Sequence, residues 1–400
     1  MTFEPYRDVL RIPQVRHALI LSIALRLPLS ATFMVLTMHV VTHLGHSYGA
    51  AGLVAMASTL GLAISGPWRG RLLDRKGLRR TVAPSLVILA VLWSIAPFLS
   101  YWFLVGAALI GGLFQVPIWG IIRQMILHAT PIERRRSALS LDSVATEIAF
   151  MIGPAVGVIA AASFDTRYVL VAVMWGAIAG ASALWLLNPP LMAREDRLET
   201  TPIRTSAWLS PAVVAVFAVV AASAIVLAGT DVGIVAHMRE IGAASAVAIA
   251  MAIWAAGSLV GGLLYGMLSR SIPSHYLLFA LAATTIPVAL ATNVPVAAVL
   301  LFICGFFCAP TLTSTTEQLS HLVPARARGE AMGWHGSAIT GGSALGAPVA
   351  GVAIDHYGSG AGFIAVSVVA LVIAIAAIVV NARRRRRGAA TSARTEVLAA

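Results

Sequence analysis

Long apolar runs alternate with short polar loops along the whole chain, and each run is close to the length of a membrane-crossing helix. A helix needs about 20 mostly apolar residues to span a bilayer core. Twelve runs meet that need: 17–43, 49–67, 81–99, 102–125, 138–162 and 168–188, then 208–236, 245–268, 276–292, 296–320, 331–356 and 361–381. The densest loop, Gly66-Pro-Trp-Arg-Gly-Arg-Leu-Leu-Asp-Arg-Lys-Gly-Leu-Arg-Arg80, carries charge too concentrated for hydrocarbon and therefore lies in water. The pattern predicts an all-α membrane protein with twelve transmembrane helices.

A polar stretch, 189–207, with Pro189, Pro190, Arg194, Glu195, Asp196 and Arg197, interrupts the pattern midway. It divides the chain into a six-helix bundle over 1–188, a connector over 189–207, a second six-helix bundle over 208–382 and a basic tail over 383–400. The two halves resemble each other. Leu127-His-Ala-Thr-Pro-Ile-Glu-Arg-Arg-Arg-Ser-Ala138 aligns with Ser320-His-Leu-Val-Pro-Ala-Arg-Ala-Arg-Gly-Glu-Ala331 at an offset of 193. Gly153-Pro154 meets Gly346-Ala-Pro348 with a one-residue slip, and Gly66 and Gly70 meet Gly262 and Gly266. Matches in the same order in both halves imply a duplicated unit, and an even number of spans per unit makes the repeat parallel.

Composition narrows the class. With 59% hydrophobic and 11% charged residues and a mean hydropathy of +0.88, no sizeable soluble domain fits. The net charge of +12 could indicate nucleic acid, but its placement argues against that partner. About 25 of the 28 basic residues lie in the N-terminus, in alternate loops or in the tail, the exceptions being Arg26, Arg167 and Arg239. This bias places both termini in the cytoplasm, and the Arg383–Arg387 run reads as an anchor at anionic lipid. The polar Met1–Val15 stretch lacks a cleavage-type site, so the first run reads as a retained helix. Cys304 and Cys308 share a helix face without His or Asp partners and read as small core residues, which leaves no metal site and no cofactor expected. A single lysine and an Arg- and Ala-rich composition fit a GC-rich bacterial source.

Enzyme motifs fail on context. Gly45-His-Ser-Tyr-Gly49 matches G-x-S-x-G, but a nucleophile elbow needs a strand before it and a helix after it, not a loop between membrane helices. Neither H-E-x-x-H nor a P-loop occurs.

The loop between the second and third spans resembles the signature of the major facilitator superfamily, roughly G-x-L-A-D-R-x-G-R-K. Gly70, Leu72, Asp74, Arg75, Gly77 and Arg79 match it, while Leu73 and Leu78 depart. The resemblance covers essentially the whole chain and implies two parallel six-helix bundles. Gly70 and Gly77 allow close approach and a tight turn. Asp74 is suited to face the positive N-terminus of a helix from the other half. The resemblance implies that it braces the outward-facing state against helix 11, which begins near Glu330, with Arg75 securing the same latch. Gly153, Pro154 and Gly157 resemble in part the helix-5 signature of exporters, with Ala149 and Val158 where glycines are usual. The mid-helix-4 arginine common in drug–proton antiporters of the family has no counterpart in Gly111–Gly120.

Ionisable groups inside spans are costly and mark function by default. Arg26 and Glu147 each lie nine residues into their helices, roughly 14 Å deep, and are expected to form a buried pair that protonation of Glu147 would break. Asp231, beside Gly229 and Gly233, is a further proton-coupling or cation-attracting candidate. Arg123 and Glu317, at nearly repeat-equivalent positions, are inner-gate candidates for a salt bridge between halves, with Asp142 expected to pair instead with Arg123 or with the basic loop. Met34, Gln115, Trp119 and Trp254 are candidates for lining a substrate cavity.

The expected function is secondary active transport of small organic molecules across the cytoplasmic membrane by alternating access, in the form of proton-coupled efflux by a monomer. Two alternatives stand beside it. One is uptake of a metabolite or sugar by proton symport, and the other is a non-transporting sensor or scaffold on the same fold.

Overall fold

The computed structural model describes residues 4–191, 203–268 and 270–399. The connector charges Arg194, Glu195, Asp196 and Arg197 lie outside them, as do the side chains of the Arg383–Arg387 run. The helices in the first half are α1 (Glu4–Arg11), α2 (Pro13–Met38), α3 (Tyr48–Ile95), α4 (Tyr101–Phe114), α5 (Ile118–Ala129), α6 (Arg135–Ser163) and α7 (Thr166–Leu187). Those after the connector are α8 (Thr205–Trp208), α9 (Pro211–Glu240), α10 (Val247–Gly266), α11 (Ser274–Thr285), α12 (Val294–Gly305), α13 (Cys308–Leu322), α14 (Arg328–Tyr357) and α15 (Ser359–Ala399).

Ten helical segments among the described residues are long and apolar enough to cross a membrane. One of them, Ala50–Phe98, has 49 residues, about twice what a bilayer requires. Gly77 divides it, at φ 75 and ψ 175, a conformation that a side chain would strain. The shorter apolar segment Ser274–Leu290 supplies the remaining crossing. The result is twelve crossings, so both termini share one face, the terminal face. Chain signals set the ends. Ser47, Asp165, Ser210 and Asn293 each accept a backbone N–H in the first turn of α3, α7, α9 and α12. The last helix runs past the predicted end at 381, because the Ala- and Arg-rich tail favours helix.

The duplication is visible in the packing. Pro131 and Pro324 each precede a 3₁₀ turn, Ile132–Arg134 and Ala325–Ala327, that leads into α6 and α14. Gly153 and Gly157 bring α6 against Leu27, Ser30 and Ala31 of α2, where a Cβ added at 153 would collide and one at 157 would be crowded. In the second half, Gly342 and Gly346 bring α14 against the Ala221 and Ile225 carbonyls of α9. Small residues do this work because helices in lipid gain little from hydrophobic burial and associate by close van der Waals contact. Across the halves, α3 packs on α14, and α6 packs on α10 and α13.

Candidate functional site

Two layers of polar contacts join the halves from the terminal face inward, and a buried charge cluster lies within the first half beyond them. At the terminal face, Gly329 N–H and Glu330 N–H, the first turn of α14, donate to Asp74 Oδ1 and Oδ2 at 2.9 and 2.8 Å. A carboxylate is favoured there because the first helical N–H groups are unpaired and carry the positive end of the macrodipole. The Glu330 side chain faces back and pairs with Arg71 at 2.6 Å, and Thr205 donates to the same carboxylate at 2.7 Å. Arg71 thus makes the bond expected of Arg75, which lies only within electrostatic reach of Glu330. On the helical wheel, Arg71 falls one turn before Arg75, level with the start of α14. Arg79 turns to its own half, donating to the Trp185 and Leu186 carbonyls at the end of α7.

Close approach makes this gate possible. A Cβ on Gly70 would collide with the Gly329 carbonyl, and one on Gly333 with Gly66. Gly70→Ala is expected to oppose closure by about 1 to 3 kcal/mol, the cost of overpacking a tight contact. Thiol labelling of Ser143→Cys from the terminal face should rise accordingly. Labelling unchanged from the Gly70 parent would show that the two backbones need not approach so closely.

Glu317 and Arg136 form the second contact, at 3.0 and 3.2 Å, and Arg136 also donates to the Leu268 carbonyl at 2.6 Å. The expected Arg123–Glu317 salt bridge therefore does not form. Helix α5 packs on α14 whereas α13 packs on α6, so each side chain meets a different neighbour. Arg123 instead reaches His335 Nδ1 at 3.2 Å, and His335 Nε2 meets Thr315 Oγ1 at 3.0 Å. Helix α1 adds a strap that sequence reasoning passed over: Tyr6 of the first half donates to the Leu263 carbonyl of the second, beside Ser140 and Gly266. The signal was present in α1, where Tyr6 and Val9 fall on one helical face and are both buried. Arg136, hidden in the Arg134–Arg136 run, read as an orienting charge only.

Beyond these two layers lies the buried charge cluster. Arg26 is 1% exposed and donates to both Asp142 oxygens, at 2.6 and 3.0 Å, and to Thr146 Oγ1 at 2.6 Å. Ser22 donates to Asp142 at 2.9 Å, and the guanidinium lies 4.2 Å from the centre of the Trp119 ring. This corrects the expected Arg26–Glu147 pair. Asp142, Thr146 and Ala149 fall at i, i+4 and i+7, one stripe of α6 turned to α2. Glu147 lies off that stripe and faces α10, where Ser258 donates to it at 2.7 Å.

Glu147 in α6 and Asp231 in α9 come from opposite halves. Neither makes an ion pair among the described residues. Helices α6, α10 and α13 pack on one another, and α9 packs on α13. Of the residues named as cavity-lining, Met34 is exposed and Trp119 covers Arg26. Trp254 packs within the second half. Gln115 points into a cavity confined to the first half, so these four do not share one pocket. Gly153, Pro154 and Gly157 sit in α6 against α2. Arg69, unremarked in the sequence, is buried and donates to the Thr81 carbonyl at 2.9 Å, tying together the two arms of α3.

Comparison with known proteins gives the setting. No curated protein sequence matches the chain significantly. Among solved structures, the chain resembles the human organic anion transporter MFSD10 (TETRAN), at TM-score 0.72 and 15% identity over 91% of this chain and 99% of that one. It also resembles the proton:xylose symporter XylE bound to 6-bromo-6-deoxy-D-glucose, at TM-score 0.68 and 16% identity over 91% and 94%. The E. coli fucose:proton symporter FucP aligns at TM-score 0.62 and 17% identity over 90% and 98%. At such identities the likeness shows the fold. The sequence profile described as Major Facilitator Superfamily matches residues 18–274 and 216–399, and members of that family are transporters, not enzymes. Duplicated halves, twelve crossings and this profile agree: the chain belongs to the major facilitator superfamily.

Proposed function

We propose that this protein exports small cationic amphipathic molecules across the cytoplasmic membrane in exchange for protons, with its terminal face in the cytoplasm. The orientation rests on the basic loops at that face. The closed gate of Asp74, Arg71 and Arg136 then belongs to an outward-facing state, and rocking of the two bundles opens it. The observation that carries the reading is Glu147 and Asp231, two carboxylates in membrane-spanning helices of opposite halves with no ion-pair partner among the described residues.

A carboxylate within a membrane-spanning segment favours its protonated form, and an organic cation offers the same relief. Proton and substrate therefore compete for one site, which is the condition for exchange. Arg26 is committed to Asp142 and serves this reading as a structural charge, while Glu147 and Asp231 remain the coupling groups. Sugar uptake by symport finds less support, because the acids lack the ring of polar partners that a neutral polyol would need.

The test is proton flux in inside-out vesicles challenged with a panel of cationic and neutral compounds. Cationic compounds are expected to collapse the pH gradient with wild type and to lose that effect in Glu147→Gln. Flux driven equally well by the mutant would remove Glu147 from the coupling, and no flux with any compound would refute export.

A further inference from the structure

A cavity of about 170 Å³ lies inside the first half, and neither Glu147 nor Asp231 lines it. Its lining comes from α2, both arms of α3, the α4–α5 break and α7, with nothing from the second half. The break creates its polar corner. Pro117 has no N–H to return to Leu113, and the Ile118 N–H bonds to the Val116 carbonyl at 2.7 Å. The helix therefore stops at Phe114, and Gln115 leaves the helical path with its side chain lining the cavity.

Four hydroxyl or amide side chains line this space: Thr32, Ser58, Thr59 and Gln115. Serine and threonine in helices commonly satisfy themselves on the carbonyl one turn back, as Thr32 does on Pro28 at 2.9 Å. Neither Ser58 nor Thr59 does so, and the Gln115 amide has no partner among the described residues. The remaining lining is apolar, with Leu86, Trp93 and Ala177 among it, and no lining residue is ionisable.

We infer that this cavity is a separate binding site for a neutral, ring-sized molecule bearing a single hydroxyl or amide. Size sets the ring, since an apolar cavity of about 150 Å³ accommodates benzene. The absence of any lining charge excludes ions, which would enter without a counter-charge. The Gln115 amide both donates and accepts, so it selects for one hydrogen-bonding group. The site goes beyond the transport reading and does not depend on its direction or coupling. Because every lining residue belongs to one half, the ligand has equal contacts whether the gate is open or closed, and it leaves the access equilibrium where it was.

The probe is 4-fluorophenol, titrated against the full-length protein in detergent and followed by 19F NMR, with fluorobenzene as the control. Wild type is expected to show saturable binding of both, tighter for 4-fluorophenol. Ala177→Phe, which fills the space, is expected to abolish saturation for both probes. Gln115→Leu keeps the cavity and should lower 4-fluorophenol affinity about tenfold, the worth of one hydrogen bond at the upper end, while leaving fluorobenzene unchanged. Non-saturable partitioning in the wild type would overturn the site. Binding that survives Ala177→Phe would overturn its location, and a Gln115→Leu variant that weakens both probes equally would overturn the assigned ligand class. Gln115→Leu decides the matter alone if Ala177→Phe does not fold.

Discussion

Asp142→Ala is expected to destabilise the folded protein by about 3 to 5 kcal/mol, the cost of leaving a buried charge without its partner. Arg26 is among the largest fully buried side chains, and Asp142 supplies two of its hydrogen bonds through the carboxylate and a third through the backbone carbonyl at 3.2 Å. Removing the carboxylate leaves the backbone carbonyl at 142, Thr146 and the Trp119 face, which are neutral and cannot balance the charge. Arg123 worsens the imbalance, because it lies within electrostatic reach of both and its own hydrogen bond is to His335. The double variant Arg26→Met/Asp142→Leu should recover most of the loss, since matched apolar groups in place of a buried pair are near neutral. Thermal unfolding in detergent decides it. A loss below about 1 kcal/mol in the single variant, or no recovery in the double, would mean that water reaches Arg26 and the pair is not a buried one.

Asp74→Ala should shift the protein from the closed to the open terminal face by about 3 to 6 kcal/mol, at least a hundredfold in population. Two hydrogen bonds to a charged acceptor are lost, each worth about 1.5 to 3 kcal/mol, and the first turn of α14 loses its counter-charge. The fold should survive, because Asp74 bonds only across the gate while each half also has core clusters confined to itself. Spin labels at Ile132→Cys and Leu322→Cys, exposed positions on the same face in opposite halves, report the separation. The distance distribution should move to longer values in Asp74→Ala. An unchanged distribution would assign closure to Arg136–Glu317 and the Tyr6 strap instead.

Much of this architecture was legible in the chain because membranes simplify it. A spanning segment must satisfy its own backbone and be apolar for about 20 residues, so hydropathy alone divides the sequence into twelve runs. The Gly70–Arg79 motif also carried local meaning: Gly77 is at the positive-φ turn and Asp74 meets the start of α14. Pairings across helices were a different matter. Counting depth from helix ends put Arg26 level with Glu147, and depth says nothing about which way a side chain points around its helix. The same gap separated Arg123 from Glu317, and it hid Tyr6, whose partner is 257 residues away.

By itself, then, the sequence determined the membrane class, the number of crossings, the duplication and the family motif, because each depends on local composition or on order along the chain. Only the tertiary structure decided that Asp142 neutralises Arg26, that Arg136 takes Glu317, that Glu147 meets Ser258, and that a neutral cavity lies within the first half. Those outcomes depend on the rotation of each helix about its own axis. Small residues such as Gly70, Gly153 and Gly346 fix that rotation by admitting one close contact and no other.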